Sequence, residues 1–186
     1  MKKVFFGMVV LTLLASCQNQ KEEKAAPSTT GTDTTARQAN PTSELLPMRE
    51  GDEVKNSFAA FARGDVDAMV APYEDNVRYV WSGGDSAIGK KAVADYYKGR
   101  WKVIDSISFP EQVVLPIRVY QSQSMYEPAG KWVLFWAMAR VKYKNGKRLQ
   151  FWMHTTSHYG SSGKIDFVGQ YLDFYPIREA TKNLMK

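Results

Sequence analysis

Residues 131–174 read KWVLFWAMARVKYKNGKRLQFWMHTTSHYGSSGKIDFVGQYLDF and contain three runs rich in β-branched and aromatic residues. Asn145-Gly146 separates the first two runs, and Ser161-Ser162-Gly163 separates the second from the third. Both breaks are typical of tight turns between antiparallel strands. A similar run lies between Ile107 and Pro128-Ala129-Gly130. The sequence therefore predicts a four-stranded antiparallel sheet in this half of the chain.

The preceding segment shows helical periodicity. One buried helix face is indicated by apolar residues at positions i, i+4, i+7 and i+8: Val54, Phe58, Phe61 and Ala62. Gly64 then supplies a left-handed stop, and Asp65 is placed to cap a second short helix through Val70. Residues 76–81 alternate like a strand, and a third helix follows Gly89. Helices followed by an antiparallel run predict an α+β domain.

Five short motifs follow one another in a family-like order. They are Phe61–Ala68 (FARGDVDA), Tyr73–Val77 (YEDNV), Gly89–Val93 (GKKAV), Gly163–Ile165 (GKI), and Tyr171 with Asp173. Together they resemble the SnoaL-like branch of the nuclear-transport-factor-2-like superfamily over roughly residues 48–176. The resemblance implies a cone-shaped, curved antiparallel sheet wrapped around three helices, with an internal pocket. Residues 177–186 would form a tail or short helix.

The resemblance leaves the activity open, because one fold supports several functions. Members include ketosteroid isomerase, polyketide cyclases, a dehydratase, an epoxide hydrolase and non-catalytic binding or dimerisation domains. In the epoxide-hydrolase branch the working carboxylate lies five positions after the Ile of Gly-Lys-Ile, and here that position is Gln170. Glutamine does not exchange a proton at useful rates, so a hydrolase-like mechanism is in doubt.

The turns predict which residues face each other. A two-residue type I′ turn at Asn145-Gly146 would place Ala137 opposite His154. A three-residue loop with Gly163 in the left-handed position would place Tyr159 opposite Ile165, and therefore His154 opposite Gln170. His154 would then lie at the middle of the pocket face.

We therefore predict a pocket with His154 near its centre. The predicted ligand-binding residues are Trp152, His154, Thr156, Gln170, Leu172, Tyr79, Trp81 and Tyr97. His154 is also the candidate general base if the domain is an isomerase, cyclase or dehydratase. The favoured hypothesis is a non-catalytic module that binds a small, mostly apolar molecule. The third hypothesis is a dimerising scaffold with a filled core, inside which the histidine makes its hydrogen bonds.

The opposite sheet face is predicted to be an apolar interface. Its residues are Trp132, Trp136, Met138, Met153 and Tyr171. A contiguous apolar patch of this kind usually marks an association surface, so we expect a homodimer through the sheet.

The N-terminus resembles a bacterial lipoprotein signal. Lys2 and Lys3 precede the apolar run Val4–Leu14, which is too short for a permanent membrane span. Leu14-Ala15-Ser16-Cys17 resembles a lipobox, so residues 1–16 are predicted to be removed and Cys17 to carry the lipid. Residues 17–47 have the composition of a disordered tether. Because Gln18 is not Asp, the expected location is the outer membrane, at its periplasmic face or the cell surface.

Charge and motifs exclude several classes of partner. The formal net charge is +6, but the basic residues are scattered or lie at turns, so nucleic acid is not expected. His154 and His158 would stand about 13 Å apart along a strand, too far to share one metal ion. The sequence predicts neither a metal site nor a cofactor.

Overall fold

The structure of the protein, a computed structural model, describes residues 41–122, 124 and 128–184. The predicted signal at 1–16, the lipidation site Cys17 and the tether up to residue 40 lie outside these residues. None of the described helices is long and apolar enough to cross a bilayer.

Four helices are present in the described part of the chain. They are α1 (Arg49–Ala62), α2 (Val66–Val70), α3 (Lys90–Trp101) and α4 (Tyr175–Thr181). The predicted helix stop and helix cap are both present. Gly64 has φ +82° after α1, and the Asp65 carboxylate accepts a hydrogen bond from the Ala68 N–H at 3.0 Å. The fourth helix begins with Tyr175-Pro176, where proline fits the first helical turn.

In the part of the chain that the structure describes, seven strands form one curved, unclosed sheet. They are β1 (Ser43–Leu45), β2 (Tyr73–Trp81), β3 (Ser86–Ile88), β4 (Ile104–Val119), β5 (Gly130–Tyr143), β6 (Arg148–Tyr159) and β7 (Ile165–Tyr171). Their order is β1-β4-β5-β6-β7-β2-β3. The predicted α+β cone is confirmed, with two refinements. The pair β2–β7 is parallel rather than antiparallel, and β1 lies inside the segment predicted as tether.

The first hairpin differs from the prediction by one residue. Tyr143 N–H donates to the Lys147 carbonyl at 2.9 Å, and Gly146 N–H donates to the Tyr143 carbonyl at 2.9 Å. Gly146 has φ +83°, so the loop has three residues and ends in a bulge at glycine. The pairs are therefore Trp136 with His154 and Ala137 with Met153, and the predicted pairing of Ala137 with His154 is wrong.

The second hairpin is as predicted at its turn and shifted beyond it. Tyr159 pairs with Ile165, and Gly163 has φ +76°, as expected for the three-residue loop. The register then shifts by one, because His158 pairs with Phe167 and leaves Asp166 as the extra residue of a bulge. As a result His154 faces Tyr171 rather than Gln170.

The corrected registers assign the two faces of the sheet. Side chains alternate along a strand, so a one-residue slip exchanges the inner and outer sets. On β6 the inner set includes the buried Met153 and Thr155, while Trp152 is half exposed on the outer face. The inner face packs on α1 through stacked Phe58 and Phe135, whose ring centroids are 4.5 Å apart.

Candidate functional site

An apolar cavity of about 70 Å³ lies between the inner face of the sheet and the helices. The periodicity of α1 directs Phe58 and Phe61 towards it, and α3 contributes Tyr96, Tyr97 and Arg100. The sheet side is lined mainly by Ala139, Val141, Phe151, Met153, Gln170 and Leu172. The cavity offers mainly hydrocarbon and aromatic surface to any occupant.

Three hydrogen-bonded side chains form the polar end of this cavity. The Tyr97 hydroxyl donates to Gln170 Oε1 at 3.0 Å. Because its proton is used there, Tyr97 accepts from the Tyr79 hydroxyl, which lies 2.6 Å away. Gln170 is only 6% exposed, and Tyr79 and Tyr97 are also buried. The β2–β7 ladder brings Tyr79 and Gln170 close together, because it pairs Tyr79 with Val168, two residues before Gln170.

Burial keeps both tyrosines protonated. Removal from water raises the pKa of Tyr79 and of Tyr97 well above the usual range of a phenol. The Trp81 indole N–H opposes part of the rise in the pKa of Tyr97, although its geometry falls short of a hydrogen bond. The chain Tyr79–Tyr97–Gln170 can therefore orient a ligand through hydrogen bonds.

The described residues around the cavity include no Asp, Glu, His or Cys side chain. Its ionisable members are tyrosines and Arg100, and burial also raises the pKa of Tyr96 and Tyr143. None of these groups is suited to abstract a proton near neutral pH, since a useful base needs a pKa close to the working pH.

The structure brings together only part of the predicted pocket. Tyr97, Gln170 and Leu172 line the cavity, and Tyr79 reaches it through Tyr97. Trp81 lines a neighbouring groove instead and packs on Tyr96 with ring centroids 4.4 Å apart.

The three β6 residues that were predicted to line the pocket do not line it. Trp152, His154 and Thr156 lie on the outer face, because the three-residue loop at Gly146 shifts the register by one. His154 stacks between Trp136, at a centroid distance of 4.4 Å, and Tyr171, at 5.8 Å. His154 is therefore not placed to act as a base in the cavity.

His154 is nevertheless in an unusual environment. It is half-buried, its Nδ1 atom has no hydrogen-bond partner among the described residues, and burial lowers its pKa. A neutral imidazole packed between two aromatic rings satisfies these conditions better than a charged one.

The predicted interface is on the outer face except for one residue. Trp132, Trp136, Met138 and Tyr171 share that face, whereas Met153 is buried on the inner face and lines the cavity. Tyr171 is 50% exposed, but Trp132 and Met138 are already buried by their own chain. Trp152, predicted for the pocket, is also 50% exposed on this surface.

Phe151 and Met153 are cavity residues that the sequence prediction missed. Reading Lys144-Asn145-Gly146 as a three-residue loop with glycine last would have placed both on the inner face. The sequence predicted that Phe58 and Phe61 lie on a buried helix face, but nothing in it indicated that they border a cavity.

The second histidine forms a separate pair. His158 Nδ1 and Asp166 Oδ1 are 2.6 Å apart at a separate groove. Among the described residues no three His, Cys, Asp or Glu side chains come together as a metal-binding group.

Residues 54–165 match the model of a family described as a SnoaL-like domain. No curated protein matches the chain in sequence.

Similar solved structures include a candidate polyketide cyclase from Silicibacter sp., which is 15% identical with a TM-score of 0.56. That match covers 73% of this chain and 97% of the other. A candidate polyketide cyclase from Xanthomonas campestris pv. campestris is 19% identical with a TM-score of 0.53, covering 70% of this chain and 94% of the other. A nuclear-transport-factor-2-like protein from Burkholderia xenovorans is 20% identical with a TM-score of 0.53, covering 74% and 99%.

At these identities the structural likeness shows the fold, not the reaction. The sequence match is independent of that likeness and spans more than half of the chain. The chain therefore belongs to the SnoaL-like domain family.

Proposed function

We propose that the domain binds a small, mostly apolar molecule in its cavity and does not catalyse a reaction on it. One observation carries this proposal: the cavity wall is apolar, its polar end is the hydrogen-bonded chain Tyr79–Tyr97–Gln170, and its described lining has no carboxylate or imidazole. Ligand pockets commonly combine an apolar lining with a few placed polar groups. Such a wall can bind and orient a ligand, but it offers no general base to take a proton from it.

The size of the cavity limits the ligand. Pockets for drug-sized molecules typically measure about 300–1,000 Å³, so about 70 Å³ admits only a small molecule or the end of a larger one. A wholly filled core, as expected for a pure scaffold, would leave no such space.

The enzymatic alternative is an isomerase, cyclase or dehydratase with His154 as general base. Its main support was a histidine inside the pocket, and the corrected register removes that support. Two similar structures are named as candidate polyketide cyclases, so a cyclase reaction stays an alternative. At 15% and 19% identity they do not favour it for this chain.

The test is binding of a small apolar probe to a cavity-filling variant. In Ala139→Leu the added carbons occupy the cavity, so affinity for 1-octanol should fall roughly tenfold or more. Ala59→Leu makes the same change on an exposed position of α1 and should bind like the wild type. Titration calorimetry of folded proteins measures both. Equal affinities in all three proteins, or no binding by the wild type, would refute the proposal.

The domain would work at the cell envelope. The lipobox-like Leu14-Ala15-Ser16-Cys17 supports a lipid anchor at Cys17, and Gln18 favours the outer membrane, at its periplasmic face or the cell surface. Several acyl chains would hold the protein there stably, whereas a single chain binds only marginally.

A homodimer through the outer sheet face is the second proposal. Large apolar side chains on this face remain exposed in the single chain: Val113 and Leu115 from β4, Trp152 from β6 and Tyr171 from β7. Trp136 and His154 lie between them in the sheet. A second copy would remove this contiguous patch from water.

Sedimentation tests the dimer. Trp152→Glu should convert the protein to monomers at micromolar concentration, because a carboxylate would be buried without a partner. Tyr175→Glu changes an exposed aromatic residue of α4, which is not part of the sheet, and should leave the dimer intact. A wild-type protein that sediments as a monomer would rule the dimer out.

A further inference from the structure

A groove beside α4 adjoins the cavity. It measures about 530 Å³, and its walls come from β2, β3, α3 and α4. Trp81 and Tyr96 form an aromatic wall, with ring centroids 4.4 Å apart. The Trp81 indole N–H is buried and has no hydrogen-bond acceptor among the described residues, so one polar group of this wall is unsatisfied.

Four residues separate the groove from the cavity, since the same side chains line both spaces. Tyr96 and Arg100 come from α3, while Phe174 and Ile177 come from the segment that begins α4. The barrier on the α4 side therefore consists of two apolar side chains rather than a strand of the sheet. A shift of this segment would join the two spaces.

Few hydrogen bonds hold α4 to the rest of the domain. The Asn145 side-chain amide donates to the Ala180 carbonyl at 2.9 Å, and the Lys147 ammonium donates to the Glu179 carbonyl at 3.3 Å. Ile177 and Ala180 supply the buried face of the helix. Short elements with few backbone bonds to their neighbours open at lower free energy than strands within a sheet.

Two guanidinium groups line the groove, those of Arg100 and Arg178, and among the described residues no carboxylate forms an ion pair with Arg178. Arg178 reaches from α4 towards the turn after β2, where its Nη2 would lie 3.8 Å from a Cβ placed on Gly83. Lys182 also lines the groove, but its ammonium is 2.8 Å from Glu179 and is paired. Asp85 is the acidic residue of the groove lining. Arg100 has a partner within the domain, so Arg178 is the cation that we assign to the ligand.

We propose that the cavity and groove form one bipartite site for an amphipathic anion, whose carboxylate binds Arg178 and whose apolar tail enters the cavity past Phe174 and Ile177. This inference rests on the proposed binding function and specifies its ligand class. The arrangement explains how a cavity of about 70 Å³ can serve a larger molecule, because the groove holds the remainder. Arginine suits this role, since its planar fork matches a carboxylate.

A matched pair of probes tests the inference. Octanoate and 1-octanol have the same carbon chain and differ in the anionic group. Titration calorimetry of the wild-type protein should give roughly tenfold tighter binding for octanoate, as expected for a charge-assisted hydrogen bond. Arg178→Gln should abolish this preference without weakening 1-octanol binding. Lys98→Gln, which removes a paired cation outside the groove and the cavity, should preserve it.

The outcomes separate this inference from the proposed function. If 1-octanol binds as tightly as octanoate, or if Arg178→Gln keeps the preference, the anion site is wrong while the apolar cavity stands. If neither probe binds, both proposals fail. Ala139→Leu should weaken both probes, and octanoate binding that is insensitive to it would place the anion outside the bipartite site.

Discussion

The Tyr97 hydroxyl donates to Gln170 Oε1 at 3.0 Å inside the domain, joining the middle of α3 to the end of β7. The two residues lie 73 positions apart in the chain, and both are buried. At the position where the resemblance to the epoxide-hydrolase branch implies a carboxylate, this hydrogen bond ends on a neutral amide. The site is therefore polar but not basic.

Gln170→Leu should destabilise the domain because it leaves the buried Tyr97 hydroxyl without its acceptor. The expected loss in the free energy of unfolding is about 1–3 kcal/mol. Tyr97→Phe should cost less in the Gln170→Leu background than in the wild type, because there it breaks only the hydrogen bond from Tyr79. Urea denaturation of the two single variants and the double variant measures the coupling. Strictly additive losses would show that the hydrogen bond contributes nothing.

His154 should make the folded state less stable in mild acid. Burial lowers its pKa below the ordinary value of 6.5, so the unfolded chain takes up a proton more readily than the folded chain. The contribution of His154 is fully present above 6.5 and is lost as the pH falls through the lowered folded value.

The matched variant for this effect is His154→Gln, which cannot titrate. The free energy of unfolding of the wild type should fall more than that of the variant between about pH 7.5 and about pH 5. Denaturant titrations at both pH values measure the difference. Parallel pH profiles for the two proteins would contradict the assigned environment of His154.

Asn145→Ala should loosen α4 selectively. The substitution removes the hydrogen bond from the hairpin to the Ala180 carbonyl and should cost about 0.5–1.5 kcal/mol. It also removes the hydrogen bond that Asn145 Oδ1 accepts from Lys147 N–H, so the turn itself loosens. Amides of α4 should then exchange faster with deuterium, while those of β5 and β6 away from the turn remain protected. Uniform acceleration over the whole domain would instead show that α4 opens only with global unfolding.

Cys17→Ser should prevent lipid attachment and release the protein from membranes. Labelled palmitate should enter the wild-type protein and not the variant, and the variant should remain unprocessed or appear in soluble fractions. A wild-type chain that incorporates no fatty acid would overturn the lipoprotein assignment.

The helices, the sheet and the cone were predictable because their signals are local or repeated. Gly64 and Asp65 mark the passage from α1 to α2, and alternating side chains mark the strands. The two faces of β6 were not predictable, because they depend on the loop length before the strand and on a one-residue bulge after it. Asn145-Gly146 fits both a two-residue and a three-residue loop, and only the hydrogen bonds of Tyr143 distinguish them.

The candidate site was only partly predictable for the same reason. Tyr97 and Gln170 could be named from helix and strand periodicity, since each lies on an element whose buried face is clear. The bulge at Asp166 shifts the register so that His154 does not pair with Gln170, and no residue pattern in the sequence predicts this bulge. The groove at Arg178 depends on how α4 folds back, which is a long-range property.

The most direct test of the account is to locate a bound probe by NMR. With the wild-type protein and 1-octanol, intermolecular nuclear Overhauser effects should connect the octyl chain to the methyl groups of Ala139 and Met153, both of which line the cavity. Effects confined to Trp152 and Tyr171 on the outer face, or none at all, would contradict binding inside the cone.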